Sequence, residues 1–510
     1  MNRDPGEQLT ATATRGVRVT AAGQAVRMGI QVASIIVLAR LLTPEDYGVM
    51  AMAMVVVIFA EVVRDFGLAS AAVQARSLSR EQRSNLFWAN AAIGTALTSA
   101  FLAAAPLVSN IFDEPRLTGL CQLLSLTFLL NGMTTQYVAD LARRLRFRAS
   151  VVVNVGSQAV GLCCGVVAAL MGAGHLALGL VSVSSSAAAL MLARSLCDWW
   201  PGRPRRGIPM RGFFRFGGGM LGAQLLGAAS YQAHSVVLGT TLGAAQLGSY
   251  SRAYQLIHLP LNQLQAPATR VALPVLARVQ DESLRFLTAI RRGQSALLHV
   301  TALVVLAPAA LAPALLPMLL GDQWSGISTP FRILAVAGVA NMGAYVCYWV
   351  YLAKGLTGSY FRFSLWARPC VILAVVLGGS GGVIGVATAF SAASLVLWPL
   401  NYWWLARTAS LPVWGLFRNA VRVVSAHGFV AVAAAGVLAS TGGPDIVRLG
   451  MGMATLLAGY GLVLAISTSV RADLASLWDI AASRRQRGGV RTAPSGPSHE
   501  SREDEVSPCS

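Results

Sequence analysis

The chain has 510 residues, of which 55% are hydrophobic and only 12% are charged, and its formal net charge is +19. A soluble protein of this length needs a far more charged surface, whereas apolar runs of about 20 residues, the length of a bilayer-spanning helix, recur along this chain. The composition therefore excludes an ordinary soluble protein and predicts a polytopic membrane protein. It also disfavours nucleic-acid binding, because basic residues in so apolar a chain are expected in cytoplasmic loops.

Fourteen membrane-spanning helices are predicted after a polar segment, residues 1–18, which lacks the pattern of a cleavable signal peptide and is therefore expected in the cytoplasm. The fold class is accordingly an all-α polytopic membrane protein. The helices are predicted near residues 19–42, 46–70, 85–109, 117–140, 150–172, 174–198, 214–241, 245–271, 290–320, 327–352, 360–378, 382–406, 414–440 and 446–468.

The charges of the connecting loops predict the orientation of these helices. Arginines are concentrated in alternate connections, at residues 143–148, 201–212 and 278–292 and after the last helix, whereas the other connections are nearly free of basic residues. Cytoplasmic loops hold the excess of Lys and Arg. Both termini are therefore predicted to lie in the cytoplasm.

The two halves of the chain resemble each other when one is shifted by 200 residues. The shift places Val37–Ala53 on Val237–Ala253 without a gap, and it pairs Gln24 with Gln224 and Gly48 with Gly248. A duplicated unit with an even number of helices relates its copies by an axis along the membrane normal. The predicted organisation is a cytoplasmic N-terminus (1–18), an N-terminal six-helix bundle (19–200), a cytoplasmic linker (201–212), a C-terminal six-helix bundle (213–406), two further spanning helices (407–469) and a disordered cytoplasmic tail (470–510).

Polar residues inside predicted helices are candidates for function, because charged groups are costly in a bilayer. In helix 2, Glu61, Arg64 and Asp65 share one face at i, i+3 and i+4 spacing. They are either an ion-pair cluster that anchors the helix end or a charged wall of an inward-facing cavity. Arg27, about two turns inside helix 1, is a candidate substrate contact, with pairing to the acidic face of helix 2 as the alternative.

Helix 8 carries a polar stripe in which Arg252, Gln255 and Asn262 follow helical spacing. The two amides are explained equally by hydrogen bonds between helices. Arg252 is the better candidate for an anionic ligand, because a guanidinium group matches phosphate with two parallel hydrogen bonds. The repeat-related Gln24 and Gln224 are expected either to flank the axis between the two halves or to serve packing.

Motifs of familiar enzymes are missing from the sequence. The only lysine, Lys354, precedes Gly355 and Leu356 and so cannot belong to a Walker A motif, and no zinc-binding helix or nucleophile elbow occurs. The six histidines are scattered, and the seven cysteines lack metal-ligand spacing. We therefore predict no catalytic residue, cofactor or metal, and a transporter rather than an enzyme.

Three stretches resemble the polysaccharide flippases of the Wzx type, which belong to the multidrug/oligosaccharidyl-lipid/polysaccharide (MOP) superfamily. Arg64–Gly94 resembles the segment that ends helix 2 and enters helix 3 in that family, Arg143–Gly161 resembles its helix 4–5 junction, and Leu242–Gln280 is similar to its helix 7–8 region. Each motif is diffuse, but their order is specific, and the resemblance covers roughly residues 15 to 410.

The resemblance implies a V-shaped core of twelve helices plus two extra helices, in the bacterial cytoplasmic (inner) membrane. It implies that the chain flips undecaprenyl-diphosphate-linked oligosaccharide, in contact with membrane lipid, for cell-surface polymers such as lipopolysaccharide or exopolysaccharide. A polysaccharide polymerase or export machinery is an implied partner. Arginines that could line a cationic cavity are Arg27, Arg64, Arg252 and Arg270.

One departure from the family concerns ion coupling. Related sequences often carry Asn-x-Asp late in helix 7, whereas this chain has Gln232, Ala233 and His234 there. His234 could titrate in place of the carboxylate, although a neutral packed histidine is the simpler interpretation. The candidates for ion coupling are Glu61, Asp65, Asp140 and His234.

Two other functions stay open at the sequence level. A cation-coupled multidrug exporter of the same superfamily would use a buried carboxylate beside an aromatic pocket, and the available carboxylates are Glu61, Asp65 and Asp140. A membrane glycopolymer polymerase or ligase usually places its catalytic residues on a large external loop. Every external loop predicted here is short, which disfavours that class.

Overall fold

The computed structural model describes residues 5–65, 79–205, 207, 211–468 and 470–471. The predicted residues 66–70 of helix 2 and 472–510 of the tail lie outside these ranges, as do the side chains of residues 1–18, Asp65 and Gln224. Within the described ranges the chain is mainly helical, without a β-strand.

Fourteen α-helices form the described part of the chain, as the apolar runs predicted. Two short 3₁₀ turns, Asp322–Ile327 and Gly379–Gly381, lie between them. The helices are α1 Pro5–Leu41, α2 Pro44–Asp65, α3 Arg80–Phe112, α4 Arg116–Arg143, α5 Phe147–Leu170, α6 His175–Ser195, α7 Arg211–Leu242, α8 Ala244–Arg278, α9 Ser283–Leu320, α10 Ser328–Ala353, α11 Thr357–Gly378, α12 Gly382–Ala409, α13 Trp414–Ser440 and α14 Asp445–Ile466.

Several helices are longer than their apolar cores. α1 begins at Pro5 rather than near residue 19, α8 continues to Arg278 and α9 starts at Ser283. Polar residues continue a helix beyond the bilayer wherever their backbone hydrogen bonds can be made, so an apolar window marks the span and not the helix end.

Eleven stretches of the described residues are long and apolar enough to cross a membrane, and one of them, Thr357–Ala409, contains both α11 and α12. α7 and α8 are not among them. In α8 the polar stripe that includes Arg252 and three internal prolines lower the hydropathy of a helix that packs against α2 and α10. The chain is therefore a multi-pass membrane protein.

The helices pack as two similar bundles. In the first, α1 contacts α5, α3 contacts α4, and α6 contacts both α4 and α5; in the second, the corresponding pairs α7–α11, α9–α10, α10–α12 and α11–α12 are in contact. α13 and α14 pack against each other and against α9.

The turns that enter α5 and α11 show the repeat at atomic detail. Leu145 and Gly355, which are 210 residues apart, both adopt positive φ, at 53° and 68°. The backbone N–H of the next residue, Arg146 or Leu356, donates to the carbonyl of Leu141 or Tyr351 in the same pattern. Two copies of one turn thus connect equivalent helices.

The bundles meet where α2 crosses α8, at a contact that we call the closed end. A Cβ added to Gly48 would overlap the carbonyl oxygen of Ala244, and one added to Gly248 would overlap the carbonyl oxygen of Pro44. Pro44 and Ala244 are themselves 200 residues apart. The contact is therefore reciprocal about a pseudo-twofold axis, and it requires glycine because backbone touches backbone.

α1 is also fastened to the second bundle at this end. The Arg40 guanidinium donates to the carbonyl oxygens of Met318 at 2.7 Å and Leu319 at 3.0 Å, the last turn of α9. The indole of Trp324 donates to the carbonyl oxygen of Ala39 at 2.8 Å. Arg40 thus satisfies carbonyls that the end of a helix leaves without intrahelical partners.

The segment after α6 is held on α3. Asn85 exchanges two hydrogen bonds with the backbone of Arg205, at 2.7 and 2.9 Å. Trp88 donates to the carbonyl oxygen of Gly202 at 2.8 Å, and the Gly202 N–H donates to the Ser84 hydroxyl at 3.0 Å. The first part of the linker between the bundles therefore belongs structurally to the first bundle.

Candidate functional site

A cavity of about 450 Å³ lies between the two bundles, next to the closed end. Six helices line it: α1, α2, α5 and α6 from the first bundle, and α7 and α8 from the second. Its polar lining consists mainly of amides and hydroxyls, from Gln31, Ser34, Tyr47, Gln158, Ser182, Ser185, Tyr231, Gln232, Ser235, Ser251, Tyr254 and Gln255. Such a surface offers many neutral hydrogen-bond donors and acceptors.

Arg252 is the one residue with a permanent formal charge in the described lining, and only 3% of it is exposed. Its Nη2 donates to the carbonyl oxygen of Ile35 at 2.7 Å and to the Tyr47 hydroxyl at 2.9 Å, and its Nη1 donates to Oε1 of Gln255 at 2.8 Å. Its guanidinium also lies over the Tyr47 ring, 4.1 Å from the centroid. Arg252 therefore joins α8 to α1 and α2.

This geometry gives Arg252 a structural role. Both Nη atoms of Arg252 are occupied by the protein, and its Nε is buried without a partner among the described residues. Buried charges are retained when several hydrogen bonds satisfy them. In this conformation Arg252 braces the closed end, and Gln255 lines the cavity as its partner.

Arg27 lies one helical turn from Gln31 on the cavity face of α1. Arg27, Gln31 and Ser34 follow i, i+4 and i+7 spacing, which places them on one stripe of the helix. Gln31 and Ser34 line the cavity, and Arg27 is half-buried just beyond them. The sequence-predicted substrate contact is thus a neighbour of the cavity rather than part of its described lining.

The other predicted polar residues fall into two groups. Gln24 donates to Oε1 of Gln263 at 2.8 Å, which links α1 to α8 away from the closed end. Asn262 and Arg270 are exposed and lie outside the described lining. Gln24 therefore contacts Gln263 of α8.

Two members of the charged cluster of α2, Glu61 and Arg64, form an ion pair in the structure. Nη1 of Arg64 lies 3.5 Å from Oε1 of Glu61, and the side chains are 12% and 39% exposed. Neither residue belongs to the described lining. An anchor at the helix end and a charged wall of an inward-facing cavity both stay predictions for this cluster.

Asp140 lies at the opposite end of the first bundle from the cavity. Its buried carboxylate accepts from Arg83, from Arg144 at 2.9 Å and from the thiol of Cys197 at 3.3 Å. Burial and the Asp140 hydrogen bond raise the pKa of the Cys197 thiol. The Asp140 carboxylate, with Arg83 and Arg144 as partners, therefore joins the start of α3 to the end of α4.

His234 lies at the edge of the cavity within an aromatic cluster. Its ring is 3% exposed and packs 4.4 Å from the Tyr254 ring and 5.1 Å from the Tyr250 ring. Tyr254 stacks in turn on His258, at 4.0 Å. Packing accounts for His234 without a ligand.

Sequence reasoning missed the amides that define the cavity. Gln31 and Gln158 are amides inside predicted bilayer-spanning helices, and the cost of a polar group at such a position was the signal that could have found them. A second missed residue is Arg368, half-buried in the middle of α11, whose Nη1 lies 3.0 Å from the Cβ position of Gly227. Arg368 matches Gln158 at the 210-residue shift that relates α5 to α11.

Searches against known proteins give concordant matches. Residues 37–329 match the model of a family described as "Polysaccharide biosynthesis protein". The lipopolysaccharide biosynthesis protein WzxC of Escherichia coli is 24% identical over 396 residues, covering 76% of this chain and 79% of that protein. The succinoglycan biosynthesis transport protein ExoT of Rhizobium meliloti is 26% identical over 404 residues, covering 73% and 80%.

Solved structures show the same fold at low sequence identity. The lipid II flippase MurJ in an inward closed conformation superposes with a TM-score of 0.68 at 12% identity, covering 88% of this chain and 99% of that one. An inward-facing multidrug resistance transporter of the MATE family, from the MOP superfamily, gives 0.60 at 13% identity, covering 78% and 99%. The fold resembles that of the MOP superfamily, as the sequence motifs predicted.

Proposed function

Because the chain belongs to the polysaccharide biosynthesis protein family, we propose that it is a flippase that moves undecaprenyl-diphosphate-linked oligosaccharide across the cytoplasmic membrane. The observation that carries the proposal is the polar cavity between two repeat-related bundles that touch at one end. Two like bundles that rock about such a cavity expose it to each side in turn, which is alternating access.

The direction of transport follows from the predicted orientation. With the N-terminus in the cytoplasm, the closed end lies on the outer side of the membrane. The cavity is then accessible from the cytoplasmic side, where lipid-linked oligosaccharides carry their head groups before translocation. The superposition on an inward-facing transporter of the MATE family supports this assignment.

Beside the cavity, we assign the diphosphate to Arg27. It follows Gln31 on the same face of α1, towards the predicted cytoplasmic end, and a guanidinium group binds phosphate oxygens through charge-assisted hydrogen bonds. The polyprenyl tail would extend into membrane lipid. A polymerase or other export protein would receive the product at the outer face.

A multidrug exporter is the second candidate, favoured by the superposition on the MATE transporter. Cationic drugs require a carboxylate to balance their charge, and no carboxylate occurs in the described lining of the cavity. The lining instead suits a ligand rich in hydroxyl groups. The short connections at the predicted outer side, such as residues 113–115, also disfavour a polymerase or ligase.

Transbilayer movement in proteoliposomes tests the proposal. The assay measures protection of a fluorescent undecaprenyl-diphosphate oligosaccharide from an external quencher. We expect Arg27→Ala to slow protein-dependent movement about tenfold to a hundredfold, because a hydrogen bond to a charged group is lost. Arg285→Ala is the matched control, since Arg285 is 75% exposed and pairs with Glu282.

Three outcomes separate the parts of the proposal. Movement that slows in the Arg27 variant alone supports a flippase with this anion site. Movement at an equal rate in wild type and all variants supports the flippase function but contradicts an anion site at Arg27. An absence of movement with several oligosaccharides, with and without an ion gradient, contradicts the function.

A further inference from the structure

Two glutamines in the cavity have an unsatisfied oxygen. Gln31 projects from α1 and Gln158 from α5, and both line the cavity. Oε1 of each is buried and has no hydrogen-bond partner among the described residues. A buried acceptor without a partner destabilises a protein, so a ligand with hydrogen-bond donors would relieve both.

The rest of this wall is neutral. Ser34, Ser182 and Ser185 add hydroxyl groups beside the two amides. Across the cavity, the partly exposed ring of Tyr231 supplies an apolar face with a polar edge. Arg252, on α8, brings the permanent charge; its Nη atoms are bound to Ile35, Tyr47 and Gln255, and its Nε is buried without a partner among the described residues.

We propose that the α1–α5–α6 wall is a subsite for an uncharged sugar ring and that it selects against sugars carrying a carboxylate. A sugar hydroxyl both donates and accepts, as the amide of glutamine does. A carboxylate only accepts, so at this wall it would face the two unsatisfied oxygens and lose its hydration, with no cation among the described α1, α5 and α6 residues that line the cavity. This inference rests on the proposed function and names the part of the substrate that the site recognises.

The subsite also fixes how the substrate lies in the cavity. Gln31 is one turn nearer to the closed end than Arg27, a distance of about 6 Å along the helix axis. A diphosphate held by Arg27 therefore places the attached sugar beside Gln31 and Gln158. The sugar enters first, towards the closed end, and the lipid follows.

The position of Gln158 in the repeat makes the subsite asymmetric. Its counterpart in the second bundle is Arg368, so the equivalent place in that bundle holds a cation in place of an amide. Leu162, one turn further along α5, completes an apolar edge of the wall. Sugar recognition is thus assigned to the first bundle alone.

Binding of three defined lipids to the full chain in nanodiscs, measured by native mass spectrometry, tests the subsite. The probes are undecaprenyl diphosphate, the same lipid carrying glucose, and the same lipid carrying glucuronic acid. We expect the glucosyl lipid to bind about tenfold more tightly than either other probe, from about two net hydrogen bonds. Gln158→Leu should remove that advantage and leave the binding of undecaprenyl diphosphate unchanged.

Gln136→Leu is the matched control, because Gln136 is a buried amide on α4 outside the described lining. It should keep the preference for the glucosyl lipid. Equal or tighter binding of the glucuronosyl lipid overturns the inference, and so does a Gln158→Leu variant that loses all three probes equally or none.

The transport assay distinguishes this inference from the proposed function. Equal movement of the glucosyl and glucuronosyl lipids, in wild type and in the Gln158 variant, keeps the flippase and overturns the sugar subsite. A glucosyl preference in binding without movement of any lipid supports the subsite and contradicts the flippase.

Discussion

His299 of α9 and His427 of α13 face each other in the interior, with Nδ1 of His299 3.5 Å from Nε2 of His427. Nδ1 of His427 lies 3.0 Å from the carbonyl oxygen of Val423, so this nitrogen carries the hydrogen. Nε2 of His427 is then an acceptor, and His299 donates to it. The His427 ring also packs 5.3 Å from the ring of Tyr460 on α14, so one pair of side chains links both extra helices to the second bundle.

We expect His427→Leu to lower the melting temperature of the purified protein, because it removes the hydrogen bond between the two buried rings. The cost is about 1–3 kcal/mol. In the double variant His299→Leu with His427→Leu, both polar groups are replaced and much of the loss should be recovered. Additive losses in the double variant would show that the two rings do not act as a pair.

Substitution at the closed end should open it. Gly48→Ala and Gly248→Ala each insert a methyl group into a backbone carbonyl of the other bundle. Distances between spin labels at Asp113 and Ser380, in a background with the native cysteines replaced, should become longer in either variant. Gly119→Ala on α4 is the control, because open space surrounds that position. An unchanged distance in both variants would contradict a closed end held by backbone contact.

The Arg252 brace should depend on Tyr47. Tyr47→Phe removes one hydrogen bond and keeps the ring under the guanidinium, so the closed end should lose about 1 kcal/mol. Arg252→Gln removes the bonds to Tyr47 and Ile35 together and should cost more. In a double-mutant cycle read by the same spin-label distances, the two changes should be non-additive. A coupling energy near zero would show that the hydrogen bond between Tyr47 and Arg252 does not stabilise the closed end.

Acid should weaken the connection between α3 and α4. Hydrogen bonds from Arg116 to Glu114, at 2.8 Å, hold the pKa of that carboxyl below its ordinary value of 4.5. A lowered carboxyl pKa contributes stability above the ordinary value, and this contribution is lost as the pH falls through the lowered pKa.

The melting temperature of wild type should therefore fall more steeply below pH 4.5 than that of Glu114→Gln. At neutral pH the variant should already be less stable, because its side chain accepts a weaker hydrogen bond from Arg116. Parallel curves for the two proteins across this range would assign the acid sensitivity to other carboxyl groups.

The fold was predictable because its signals are local. Apolar runs gave the fourteen helices, and the 200-residue repeat paired Gly48 with Gly248, which the structure joins in one reciprocal contact. Helix ends were less predictable, since α1 begins fourteen residues earlier than its apolar run. Hydropathy measures the bilayer span and carries no information on where backbone hydrogen bonds stop.

The site was less predictable, because its partners are distant in sequence. The prediction that Arg252 binds an anion could not include its hydrogen bond to the carbonyl oxygen of Ile35, 217 residues away. Backbone carbonyls are not visible as partners in a sequence. Asp140 was a candidate for ion coupling, and it accepts from Arg83 and Arg144 at the far end of the bundle. The spacing of these residues along the sequence predicted which helix face each lies on, but it could not predict which residues pack against that face.

Because residues 202–205 are attached to α3, the polypeptide can be split into two fragments directly after this segment. A break introduced between Arg205 and Arg211 would leave every hydrogen bond of that segment on the N-terminal fragment. The two fragments would then meet again through the reciprocal glycine contact, which needs no peptide bond between them. Co-expressed halves should complement each other, and a reporter domain is best fused ahead of Arg211, where it displaces none of these bonds.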